Sequence, residues 1–260
     1  MEQKTRFARL KKEILKRAHA AQACTEQYGR AYKAESVEAL MTVVKDNFSW
    51  CCKESVLTPD LISEYEEFAA NGIFANQDVD SGYLLASGDA IVEVSGNAIV
   101  EASGDATVEA WDNAKVRAWG NATVRAWDNA TVEALDTATV RALDTATVRA
   151  FDNATVEALD TAKVWAWDTV TVRAFDNAQV RASGNATVEA SDFVTVEAFN
   201  KATARASDFA YVVSIYTLEC KILGNAIYRV INGNTVYYAS DDIKFEKQKQ
   251  EEGKTRNMEV

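Results

Sequence analysis

Seven aspartates stand sixteen residues apart, at Asp112, Asp128, Asp144, Asp160, Asp176, Asp192 and Asp208. Stacked turn carboxylates are the donor set that calcium uses in repeat β-rolls, because a hard cation takes several oxygens. The chain lacks the Gly-Gly-x-Gly-x-Asp pattern of those rolls, and Gly holds the same repeat position at Gly104, Gly120 and Gly184. An obligatory ligand would not be replaced so freely. The plainer expectation is that each Asp accepts a hydrogen bond from a backbone N–H of its own turn. A threonine series with the same spacing, from Thr107 and Thr123 to Thr203, is the type of array ice-binding solenoids display. Here Glu and Arg lie two residues away on the same face, and a good β-former on a solvated face explains the threonines.

Aromatic residues form the second candidate site. The sixteen-residue spacing puts Trp111 over Trp127 on one edge and Trp119, Phe151 and Trp167 on the other, while Trp165 replaces a charge between Arg149 and Arg181. Aromatics dominate binding hot spots, so Trp111, Trp119, Trp127, Trp165 and Trp167 are the candidate binding residues. The competing expectation is that stacked rings brace the corners, each pair contributing about 0.5–1.5 kcal/mol beyond its buried area. Trp165 between two arginines suggests a cation–π sandwich.

Nothing else in the chain has catalytic spacing. The sole histidine, His19, falls on an N-terminal helix, and Cys51-Cys52 is vicinal rather than a Cys-x-x-Cys redox motif. Solenoid acyltransferases use six-residue units with a catalytic histidine on the coils, which these repeats lack. No catalytic residue, metal site or cofactor is expected.

These residues are positioned by an eight-residue unit, (Gly/Asp)-(Asn/Thr/Asp)-Ala-Thr-Val-(Glu/Arg)-Ala-(Trp/Leu/Phe/Ser), repeated sixteen times over residues 88–215. Positions 3, 5 and 7 are small and apolar and positions 4 and 6 polar, the alternation of a strand with one buried face. Positions 8, 1 and 2 make a turn whose Gly, Asp or Asn suits positive φ. Such a period means a solenoid, in which each unit buries what the last left exposed.

The charges at position 6 fix the number of units per coil. Like charges opposite one another across strands destabilise, and each good pair contributes roughly 0.2–1 kcal/mol. From Glu93 to Arg205, pairing adjacent units gives six opposite-sign and six like-sign pairs; pairing units three apart gives four and six. Pairing units two apart gives nine and two, the two being Glu93/Glu109 and Arg125/Arg141. The expected fold is mainly β: a flattened parallel β-solenoid of two sheets, two octads or 16 residues per coil. Small Ala-Val-Ala interiors fit two close sheets, whereas a triangular lumen would be left hollow.

Before the repeats, hydrophobic spacing predicts helices over residues 4–34, from Ser36 to about Lys53, and from a Thr58 N-cap with Pro59 at the first helical position to about Gly72. The expected organisation is a helical cap over residues 1–75, a transition coil at 76–87, the solenoid at 88–215, degenerate terminal coils at 216–245 and a charged tail at 246–260.

The net charge of −11 argues against general nucleic-acid binding. The imbalance is local: residues 88–215 hold 19 acidic and 10 basic residues (net −9), and residues 1–34 hold 3 and 9 (net +6). Four cysteines without framework spacing, a charged N-terminus and no long apolar run lead to the expectation of a cytoplasmic protein with reduced thiols and no membrane partner. A homo-oligomer through the helical region is one expected assembly.

With Tyr83-Leu84-Leu85-Ala86 leading in, the repeats resemble the Asn-Ala-x-Val-x-Ala octapeptide β-solenoid proteins of bacterial and bacteriophage genomes, over residues 80–239. The resemblance implies an architecture and no catalytic residues. The functional expectation is a non-enzymatic, rod-like structural or interaction scaffold with an unidentified protein partner. The alternatives are a binding or inhibitory module using the aromatic edges or the acidic flank as a polyanion mimic, and a solenoid acyltransferase.

Overall fold

The computed structural model describes residues 2–239; the expected tail at 246–260 and the end of the terminal coils, 240–245, lie outside the described residues. The chain is a parallel β-solenoid whose successive four-residue strands alternate between a 12-stranded and a 9-stranded sheet. Val124 pairs in register with Val140, and Val148 with both Val132 and Val164. Sixteen residues therefore make one coil, as the charge pattern predicts. The 12-stranded sheet runs roughly 50 Å along the stack at about 4.8 Å per strand.

Alternation within each strand builds the core. Val124, Val140, Val156 and the alanines on either side of them are fully buried between the sheets. Each buried Val contributes about 1.5–3 kcal/mol, and only many coils together offset the ordering entropy. At the C-terminal end Tyr228 takes the Val position. Its ring is fully buried, and its hydroxyl bonds Ser214 Oγ at 2.9 Å and accepts the Leu218 N–H at 2.8 Å. The last described strand, Thr235–Tyr238, adds antiparallel to Ile227–Val230.

The turns differ from the expectation in one respect. Asp112, Asp128, Asp144 and their equivalents hold φ near +55°, a left-handed conformation that Asp tolerates and most side chains do not. From Asp112 to Asp192 the backbone N–H that the carboxylate accepts belongs to another coil, not to its own turn. The donor is the equivalent residue one coil earlier: Asp144 N–H donates to Asp160 Oδ2 at 3.1 Å, and Gly96 N–H to Asp112 Oδ2 at 3.1 Å. Stacking sets the equivalent N–H of the neighbouring coil within hydrogen-bond reach of Oδ2. At position 2, Thr145 Oγ1 donates across coils to the Asp128 carbonyl and Asn129 Oδ1, at 2.7 and 2.9 Å.

Each expected helix is broken. The first becomes α1 (Glu2–Ala20) and α2 (Thr25–Lys33), with Gln22 at φ 56° between them. The second becomes α3 (Val37–Asp46) and α4 (Phe48–Lys53), and the third α5 (Pro59–Glu64) and α6 (Glu66–Ala70). Thr58 accepts the Leu61 N–H at 3.3 Å as its N-cap role requires.

The helices pack on the outer face of the 12-stranded sheet at its first strands, and α5 and α6 also meet its terminal strand, Ile73–Ala75. Leu84 points into the solenoid, while its neighbour Leu85 joins the helical core with Ile73 and Phe48. The end of the 9-stranded sheet is met by the lead-in chain instead: Val79 bridges Val94, and Asp78 accepts the Glu93 N–H at 2.8 Å. Among the described residues, no helix is long and apolar enough to cross a membrane.

Candidate functional site

Stacking converts single aromatic side chains into ladders. Trp111 and Trp127 follow strands of the 9-stranded sheet and lie parallel, with centroids 4.9 Å apart and planes 9° from parallel. On the opposite edge Phe151 and Trp167 stack at 4.7 Å and 5°. These spacings are the strand spacing itself, so the solenoid register supplies the geometry. All five candidate tryptophans are half-buried.

Two of them keep their columns but meet different partners from those expected. Trp119 packs against the helical core and is part of the contact between helices and sheet. The pattern could not reveal this, because the helices reach the sheet only in three dimensions. Trp165 lies in register between Arg149 and Arg181, but among the described residues no cation lies over its ring. The expected sandwich is absent because Arg181 turns the other way, pairing with Glu197 at 2.7 Å. The charge-assisted bond outcompetes a ring at an exposed site.

Two clusters escaped the sequence reading. Phe193 and Phe209 stack at 5.3 Å and remain 62% and 57% exposed. They occupy position 2, where the same edge otherwise carries Asn113, Asn129, Thr145, Thr161 and Asn177. A break in that polar column was the available signal. The second cluster centres on Glu101, which is only 4% exposed beneath α4. Burial pushes its carboxyl up to about 7, against the opposing pull of Ser49 and Arg117. One carboxyl oxygen, Oε2, has no partner. Arg117 ties the cluster together, donating to Ser49 at 2.9 Å and to Glu133 at 2.7 Å.

The vicinal cysteines are buried in the helical core, and the histidine lies outside it. Burial pushes the Cys51 thiol up to about 12 and raises that of Cys52 as well, so both stay protonated and are poor nucleophiles. His19 is exposed at the end of α1, with its ring edge-on to Tyr28 at 6.2 Å. Among the described residues, no three His, Cys, Asp or Glu side chains are placed to hold a metal ion. Two of the concavities in the N-terminal half border Trp111 and Cys51 respectively. One is an open cleft of about 500 Å³ between Phe74, Asp78, Asp80 and Trp111; the other is an apolar cavity of about 300 Å³ among Ile14, Tyr28, Val44, Trp50 and Cys51.

Compared with protein-family models, curated proteins and solved structures, the chain matches none. Function must therefore be argued from surface and geometry. The aromatic ladders, the aspartate edge and the buried Glu101 contact can bind, brace and position.

Proposed function

We propose that the protein is a non-enzymatic, rod-like scaffold that holds its helical region at one end of a stiff solenoid and offers its edges to a protein partner. The observation that carries this reading is the unbroken register of the 12-stranded sheet, in which every parallel pair from Tyr83↔Ile99 to Tyr211↔Ile227 is offset by sixteen residues. A repeat whose turn side chains bond the next coil is built to keep length and straightness. The resemblance to octapeptide-repeat solenoids supports the same reading, and a cytoplasmic setting fits the buried, unpaired thiols Cys51, Cys52 and Cys220.

A second reading, a binding or inhibitory module, draws support from the row of seven aspartates along one edge, which hold their places through Oδ2 and whose side chains stay largely in water.

The two readings part on one comparison in the native host. Deleting residues 160–191 removes two whole coils and keeps charge alternation, since Arg149 then faces Glu197 and Glu157 faces Arg205. A spacer loses its biological role with this loss of length and keeps it in W111S/W127S. Loss of role in W111S/W127S, with the shortened rod still active, overturns the spacer reading in favour of a binding edge.

A further inference from the structure

The repeats supply their own standard for what each position needs. At position 2 of the aspartate edge the fold needs only a backbone N–H that reaches the previous coil. Phe193 N–H donates to the Asp176 carbonyl at 2.8 Å and Phe209 N–H to the Asp192 carbonyl at 2.9 Å, just as Asn177 N–H donates to Asp160 at 2.8 Å. The phenyl rings add nothing to this ladder. They forgo the cross-coil side-chain bond made by Thr145 on the same edge, and they hold two large apolar groups in water. Adjacent exposed aromatics of this kind mark a contact surface.

The surroundings select the partner. The three turns around the rings read Phe175-Asp176-Asn177, Ser191-Asp192-Phe193 and Ser207-Asp208-Phe209, with three acids and no base. The Asp192 carboxylate engages the Asp176 N–H and Ser191 Oγ through Oδ2, and Asp208 engages Ser207 Oγ through Oδ2. Ser191 and Ser207 are small where Trp or Leu fills the corner elsewhere, leaving a groove of about 260 Å³ walled by Phe175, Glu189 and Arg205. Glu189 and Arg205 face each other in register, so the groove wall is near neutral. A second copy of the chain docking here would set aspartates against aspartates, and like charges across an interface are strongly disfavoured.

We propose that Phe193 and Phe209, with the carboxylates of Asp176, Asp192 and Asp208, form a docking strip for a cationic, extended peptide segment that alternates Arg with aliphatic residues. Guanidinium groups stack on the phenyl rings and pair with the carboxylates, and an aliphatic side chain enters the groove beside Phe175. This names the partner chemistry within the scaffold reading above and rests on it.

The test uses the full chain and a fluorescein-labelled peptide of alternating Arg and Leu, read by fluorescence anisotropy. F193N/F209N restores the residue that neighbouring coils carry and leaves the charge unchanged. It is expected to weaken binding about tenfold, the combined worth of two exposed cation–π contacts. D176N/D192N/D208N keeps a turn-compatible side chain and a carbonyl acceptor; it should weaken binding and flatten its salt dependence. W111S/W127S, further along the same edge, should bind like the unaltered chain. Equal binding by F193N/F209N would show mere charge attraction and overturn the strip, as would failure of the unaltered chain to bind. If the strip fails while the shortened rod and W111S/W127S behave as a spacer requires, the scaffold reading survives alone.

Discussion

The Asp144 N–H donates to the carboxylate of Asp160, sixteen residues on, at 3.1 Å. The same bond recurs from Asp160 to Asp176 and from Asp176 to Asp192. One residue type thus does two jobs: it tolerates φ near +55° and ties its coil to the one before. This explains why Asp, and not only Gly, dominates the turns.

Asp160→Ala should therefore cost about 2–3 kcal/mol, combining a left-handed conformation that Ala resists with a lost hydrogen bond. Asp160→Asn should cost less than about 1 kcal/mol, because Asn accepts both demands. Urea-unfolding midpoints of the two variants check this; equal midpoints would refute the double role.

Glu101 makes stability depend on pH. Its carboxyl is raised in the folded chain from 4.5 to about 7, so the folded state holds a proton that the unfolded state has released. The contribution is full below about pH 4.5 and is lost as pH rises through about 7. The loss amounts to up to about 3 kcal/mol. Glu101→Gln should remove this component of the decline between about pH 5 and pH 8. Melting temperatures at the two pH values decide it, and an unchanged pH slope in Glu101→Gln would refute the assignment.

Trp119 and Trp127 should respond differently to truncation. Trp119→Ala removes a contact between sheet and helices and should speed hydrogen exchange in α3 and α4, at a cost of about 2 kcal/mol for a half-buried ring. Trp127→Ala breaks only the stack with Trp111, a loss of about 1 kcal/mol, and should leave helix exchange unchanged. Equal exchange in the two variants contradicts the placement of Trp119.

Deletions test the coil. Removing residues 160–191 takes out two coils and should shorten the particle by roughly 10 Å in small-angle scattering with a cooperative melt retained. Removing residues 160–183 takes out one and a half coils, sends every later strand to the opposite sheet and faces Glu157 with Glu197. This variant should melt earlier and less sharply. Identical melts for the two deletions would contradict the sixteen-residue coil.

The solenoid was legible because its rules are local and repeated. The buried face is written into each strand by itself, as Val124 flanked by Ala122 and Ala126, and needs no long-range information. The signs at Glu109, Arg125 and their neighbours record which strands touch. The Phe193/Phe209 pair was legible in principle, as a break in the Asn/Thr column, but the tryptophans are the stronger signal in the chain. What only the tertiary structure decided is how the non-repetitive helices meet the repeats. That contact buries Glu101, recruits Trp119 and ties Ser49 to Arg117. A helix dictates its own apolar stripe, but the surface that stripe covers depends on where the N-terminal helices turn, and no period in the chain encodes those angles.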